Sequence, residues 1–133
     1  MRRETLDALA RFFESEDNIL VAYLFGSHAR KTDTPGSDID IALLLSETPD
    51  RLLNYHLYLV DKLSEILGDG LDLIILNTAP PMLKHQVIKH GKIIYSRSER
   101  ARITFEARAQ SEYLDFSTAM KRYDECLIKQ ILE

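Results

Sequence analysis

The hydrophobic positions of the chain fall into runs with two different periods. Leu6, Leu9, Phe12 and Phe13 recur at helical spacing, so residues 4–15 read as a first helix. Residues 18–25, NILVAYLF, are instead short, continuous and apolar, and Gly26 ends them as it would end a buried strand. Residues 38–45, DIDIALLL, form a second strand entered from the turn-forming Pro35-Gly36-Ser37. Thr48 has the place of an N-cap, with Pro49 at the first helical position. The helix that follows carries Leu52, Leu53, His56, Leu59, Val60, Leu63, Ile66 and Leu67 on one face, and Gly68 ends it as a left-handed C-cap. Residues 71–76, LDLIIL, give a third strand. Pro80 opens a short helix that stops at Gly91, and residues 92–96, KIIYS, give a fourth strand.

Ser98 caps a last helical region that runs nearly to the end of the chain. Its main apolar residues are Ile103, Leu114, Phe116, Met120, Tyr123, Leu127 and Ile131. The span is long for a globular helix, so a bend is expected near Leu114 to Ser117. Ile103 through Leu114 are expected to pack on the sheet. Beyond them a small sheet runs out of surface, which leaves Phe116, Met120, Tyr123 and Leu127 partly exposed as a protein interface, to a partner or to a second copy. No repeat, low-complexity segment or linker interrupts the pattern. The expected organisation is one domain over residues 1–133, with a core at 5–96 and a helical extension at 97–133.

Composition narrows the function. At 133 residues the chain can bury a real core, and 45% hydrophobic with 29% charged residues is ordinary globular composition. The net charge of −4 argues against direct binding along a nucleic-acid backbone. One cysteine, Cys126, forms no framework, fits a reducing cytoplasm and reads as a packed small apolar group. No signal peptide or membrane-length apolar run is visible, so a cytoplasmic protein without membrane contact is expected.

Against that background, two acids at the head of an apolar strand call for an explanation. Asp38 and Asp40 lie at i and i+2, so both project from one face, with Ile39 and Ile41 pointing the other way. Asp72 sits in the third strand in the same manner, between Leu71 and Leu73. If the two strands are neighbours, three carboxylates converge, and hard oxygen donors of this kind suit Mg²⁺ held together with substrate phosphates. Gly26-Ser27, where a strand turns, can aim backbone N–H groups at an anion, and Arg30 and Lys31 add positive charge in the same loop. A lone Gly-Ser is usually a turn, and a lone Asp-x-Asp is usually a solvated strand edge. Their combination at this spacing, between two apolar strands, favours the catalytic reading. His28, His56, His85 and His90 include no i, i+4 pair and read as structural.

Gly26-Ser27, ten intervening residues and Asp38-Ile39-Asp40, followed by Asp72, resemble the signature of the DNA polymerase beta-like nucleotidyltransferases. The short chain and the wording GSHAR…SDIDIALLL are most similar to the minimal nucleotidyltransferases, the antitoxins paired with HEPN-domain ribonuclease toxins. The resemblance covers residues 5 to 96; beyond them only the helical character matches, and Lys31 stands where many members have glycine. It implies an α/β (α+β) nucleotidyltransferase fold, a small mixed sheet of about four strands packed against helices. It also implies that Asp38, Asp40 and Asp72 hold two Mg²⁺ ions and are catalytic, and that Gly26, Ser27, Arg30, Lys31 and Ser37 bind ATP.

The activity implied is transfer of AMP from ATP to a hydroxyl, that of a tyrosine, on a cognate HEPN toxin. Two alternatives stay open: an aminoglycoside-type enzyme acting on a small molecule, and a non-catalytic antitoxin that masks its partner sterically. Arg51 to His56, RLLNYH, fits the R-x4-H pattern of the HEPN ribonucleases themselves, but HEPN domains are helical bundles and this chain carries four strand-like runs.

Overall fold

The computed structural model describes residues 2–26 and 39–132. The elements in chain order are α1 (Arg3–Ser15), β1 (Ile19–Phe25), β2 (Ile39–Leu45), α2 (Leu52–Leu67), β3 (Leu71–Ile75), a 3₁₀ turn (Leu76–Thr78), α3 (Pro81–His90), β4 (Lys92–Ser96) and α4 (Glu99–Leu132). The sheet has the order β3-β2-β1-β4 and is mixed. β1 pairs antiparallel with both β2 and β4, whereas β2 and β3 run parallel and are joined by the α2 crossover.

Both faces of the sheet are covered, which is why the strands read as continuous apolar runs rather than alternating ones. On one face Ile41, Leu43, Leu73 and Ile75 pack with Leu9 and Phe13 of α1 and Leu59 and Leu63 of α2. On the other, Tyr23, Ala42 and Leu44 pack with Val87 of α3, and Phe105 of α4 joins them. A register shift in β1 between Ile19 and Val21 lets Leu20 and Val21 both serve this second face. The Tyr23 phenol is buried there and donates to Glu106 Oε1 at 3.0 Å. Burial, and then the negative charge of Glu106, raise its pKa far above the ordinary tyrosine range.

Two side chains tie distant segments together. The Arg97 guanidinium donates to the carbonyls of Phe13 (3.0 Å) and Glu14 (2.9 Å), and its Nε donates to Ile19 (3.2 Å). A cation thereby caps carbonyls at the C-terminus of α1, where the helix dipole favours positive charge. Asn77 donates its amide to the Leu45 carbonyl at 2.9 Å and accepts the Leu45 N–H at 2.8 Å. The side chain thus continues the β2–β3 ladder where β3 itself has stopped.

Several expectations need correction. α2 begins at Leu52 with Arg51 as N-cap, not at Pro49, and no side chain caps it. Leu53 is exposed, and Tyr55 takes the place in the core predicted for it. Gly68 has the positive φ expected of a C-cap (+82°), but its ψ of −166° is extended rather than left-handed helical. Ser98 does cap α4, accepting the Ala101 N–H at 3.1 Å. That helix is continuous over 34 residues, through the expected bend. Ile103 and Leu114 are exposed; Phe105 and the buried Ala109 make the packing instead. Phe116, Met120, Tyr123 and Leu127 are exposed as expected, and so is Cys126, which is not packed. No described helix is long and apolar enough to cross a membrane.

Candidate functional site

The antiparallel pairing of β1 with β2, and the parallel pairing of β2 with β3, bring three strand ends to one edge of the sheet. β1 arrives there by its C-terminal end, with Phe25 opposite Asp40. β2 and β3 depart from it, with Asp40 directly paired to Asp72. Neighbouring strands are about 4.8 Å apart, so in-register residues of one face stand side by side. Asp40 has the parity of Ala42 and Leu44, and Asp72 that of Ile74, so both carboxylates belong to the face that α3 and α4 cover further down. Ile39, Ile41, Leu71 and Leu73 fill the opposite face, as their alternation with the acids predicts. The Ile39 N–H donates to the Gly70 carbonyl at 2.9 Å, extending the ladder one residue ahead of the acids.

Gly26 closes the edge. Its φ of +76° is one that side-chain-bearing residues rarely adopt. A Cβ on it would lie 3.1 Å from Asp40 Cγ and would overlap Asp40 Oδ2. The backbone at the end of β1 therefore presses directly on the Asp40 carboxylate, and the missing side chain is what gives that carboxylate its room.

The C-terminus of α3 lies beside the end of β1. β4 pairs with β1 so that Lys92 is opposite Leu24. Gly91, just before it, is close enough that a Cβ would lie 3.4 Å from the Leu24 carbonyl. The last turn of α3, with Lys89 and His90, is thus anchored two residues from Gly26.

The predicted residues are accounted for unevenly. Asp40, Asp72 and Gly26 come together. Asp38, Ser27, Arg30, Lys31 and Ser37 lie outside the described residues. Among the described residues no cluster of three or more His, Cys, Asp or Glu could hold a metal. The adjacent pair Asp40 and Asp72 offers oxygen donors alone, with no thiolate or imidazole beside them in the ladder, and that donor set fits Mg²⁺. His56 makes a structural contact, its Nε2 lying 2.9 Å from the Leu73 carbonyl. Arg51 is the exposed N-cap of the same helix, so the R-x4-H pair forms no site.

Comparison with known proteins agrees with this geometry. The family model "Polymerase beta, Nucleotidyltransferase" matches residues 7–100. The chain is 36% identical over 77 residues to the protein adenylyltransferase MntA of Shewanella oneidensis, a match covering 58% of this chain and 54% of that protein. The chain spans about half the length of the curated relatives it matches. Among solved structures it is similar to a toxin–antitoxin crystal structure with AMP-PNP, with a TM-score of 0.73 and 25% identity over 96% of this chain and 98% of that one. It also shares the fold of a chain in the complex of tri-AMPylated Shewanella oneidensis HEPN toxin with MNT antitoxin, with a TM-score of 0.69 and 23% identity over the whole of both chains. The family match covers most of the chain and includes every element of the acidic edge: the chain belongs to the polymerase beta nucleotidyltransferase family.

Proposed function

We propose that the chain is a Mg²⁺-dependent protein adenylyltransferase that moves AMP from ATP onto a tyrosine hydroxyl of a HEPN-domain toxin and so neutralises it. The observation that carries this reading is the in-register pair Asp40–Asp72, set against a glycine whose Cβ would intrude on Asp40. Support comes from the adenylyltransferase relative and from the structural likeness to a toxin–antitoxin structure with AMP-PNP.

Asp40 and Asp72, joined by Asp38 from the same sequence motif, would hold two Mg²⁺ ions. Bound Mg²⁺ supplies positive charge that offsets the triphosphate and the developing charge at the reacting oxygens. Asp72, exposed at the rim, takes the proton from the acceptor hydroxyl. The oxygen then bonds to the α-phosphorus as the bond from that phosphorus to the bridging oxygen breaks, and pyrophosphate leaves with the electron pair. Gly26, Ser27 and Ser37 would bind the nucleotide, Ser27 with the neighbouring backbone amides holding the β- and γ-phosphates, and Arg30 or Lys31 would offset the charge of the leaving group. The proposed organisation is one nucleotidyltransferase domain with its core at residues 5–96, working in the cytoplasm.

The test is incubation with a HEPN partner and ATP labelled at either the α- or the γ-phosphate. Adenylyl transfer leaves the α-label on the partner tyrosine and no γ-label. Near-native transfer by Asp40→Ala or Asp72→Ala would remove the assignment. Complex formation without any label would favour steric masking, and label on an aminoglycoside instead of the protein would favour the small-molecule enzyme.

A further inference from the structure

The second half of α4 leaves the body of the molecule with an apolar seam on it. Phe116, Met120, Tyr123 and Leu127 are spaced 4-3-4 and are 36%, 43%, 59% and 38% exposed. This is the a/d spacing of a two-stranded coiled coil, and most helix stability in proteins comes from packing such an apolar face. The seam begins where α3 ends its cover. Tyr113 is stacked on His85 with ring centroids 3.7 Å apart, and just beyond it Met82, Phe116, Met120, Lys121 and Asp124 line an open groove of about 340 Å³.

From this pattern we infer that the seam pairs with a second copy of the chain, α4 against α4, running antiparallel. The longest overlap of the seam with itself pairs Met120 with Tyr123 of the second copy and Phe116 with Leu127 of the second copy. Two independent features fit that one arrangement. On the groove side of the seam, Lys121 comes within two residue rises, about 3 Å along the axis, of Asp124 of the second copy, and the symmetry makes this ion pair twice. On the other side, Ala119 faces Cys126 of the second copy, two small residues that permit close approach of the helices. In a parallel pair Lys121 would face Lys121, and the charge match would be lost. Leu127 and Ile131 of the second copy then run onto the groove beside Met82, which gives that opening an occupant of matching chemistry.

Sedimentation equilibrium of the full chain tests the association, and a disulfide tests its direction. The chain should sediment at twice its 15.3 kDa at tens of micromolar. Leu127→Asp, at a site exposed in the monomer, should return it to 15.3 kDa with its helical circular dichroism unchanged. Asp124→Lys should weaken the dimer at least tenfold, and Lys121→Asp in the same chain should restore it. Ala119→Cys should give a rapid interchain crosslink to Cys126 under mild oxidation, faster than the native chain crosslinks through Cys126 alone. A monomer at 100 μM overturns the inference, including one that associates only when a helical toxin is added through the same residues. A native chain that crosslinks Cys126 to Cys126 as fast as the variant overturns the antiparallel direction.

Discussion

Replacing Gly26 by alanine separates the chemical role of the acidic edge from its structural one. The alanine carries two costs of different kinds. Holding φ near +76° costs an L-residue about 1–2 kcal/mol, which should lower Tm by roughly 3–8 °C in a domain of this size. The new Cβ also meets Asp40, at 3.1 Å from Cγ and overlapping Oδ2, against an ordinary carbon contact distance of about 3.5–4.0 Å. The carboxylate must recede by roughly half an ångström to an ångström, and a misplacement of about 1 Å at a reacting centre costs on the order of 10²-fold in rate. A domain with an ordinary margin of about 5–15 kcal/mol stays almost wholly folded after losing 1–2, so the rate loss is not unfolding. Gly68→Ala is the matched control: its φ is +82°, nothing lies within 4 Å of its would-be Cβ, and it ends α2, which covers the face of the sheet opposite the acids. Label transfer and thermal melts should therefore show Gly26→Ala slowed by about two orders of magnitude with a modest Tm loss, and Gly68→Ala destabilised with full transfer. Transfer by Gly26→Ala within about threefold of native, or equal rate losses in the two variants, would refute the reasoning.

Arg97→Ala should cost about 1.5–3 kcal/mol in urea unfolding, because it strips a charged donor from the carbonyls of Phe13, Glu14 and Ile19; Arg97→Lys should recover little of this, lacking the planar fork. Burial pushes the Tyr55 phenol up to about 12, so the folded chain holds a proton that the unfolded chain releases near pH 10. That contribution is complete below pH 10 and is lost as the pH rises towards 12, so Tyr55→Phe should give a shallower alkaline decline in Tm. Millimolar Mg²⁺ with ATP should raise Tm and EDTA should cancel the rise; no shift under either condition would count against a nucleotide site. Tyr123→Ser with Leu127→Ser should weaken pull-down between differently tagged copies of the chain and leave that nucleotide-dependent Tm shift intact.

Most of the core elements were legible because their apolar runs have clean periods. Ile39 and Ile41 alternate with Asp40, and Leu71 and Leu73 alternate with Asp72, so the faces of β2 and β3 followed from parity alone. That the two strands are parallel neighbours did not follow; it depends on α2 crossing over one face, a non-local fact. α2 misled because Leu52 and Leu53 are equally apolar, and only packing decides that Leu52 and Tyr55 enter the core while Leu53 faces solvent. α4 misled more. Its contact with the body runs through Phe105, Ala109, the Tyr23–Glu106 hydrogen bond (3.0 Å) and the Lys84–Glu112 ion pair (3.1 Å), whereas Ile103 points outward. A buried alanine gives almost no hydrophobic signal, yet it is what allows a helix to lie close against its neighbours. Gly26 was read as a phosphate-loop residue, and its role as the empty space beside Asp40 needed coordinates.

The Asn77 amide clamps Leu45, five residues and about 17 Å along β2 from Asp40. A strand's faces alternate with period two, so a slip of a single residue between β2 and β3 would carry Asp72 to the α2 side and dismantle the acid pair. In a saturation-mutagenesis screen, Asn77 should therefore score among the inactivating positions although it lies at the far end of the strand from the acids. Second-site changes that strengthen the β2–β3 pairing should suppress Asn77 lesions, and the same changes should never suppress a lesion at Asp40 or Asp72.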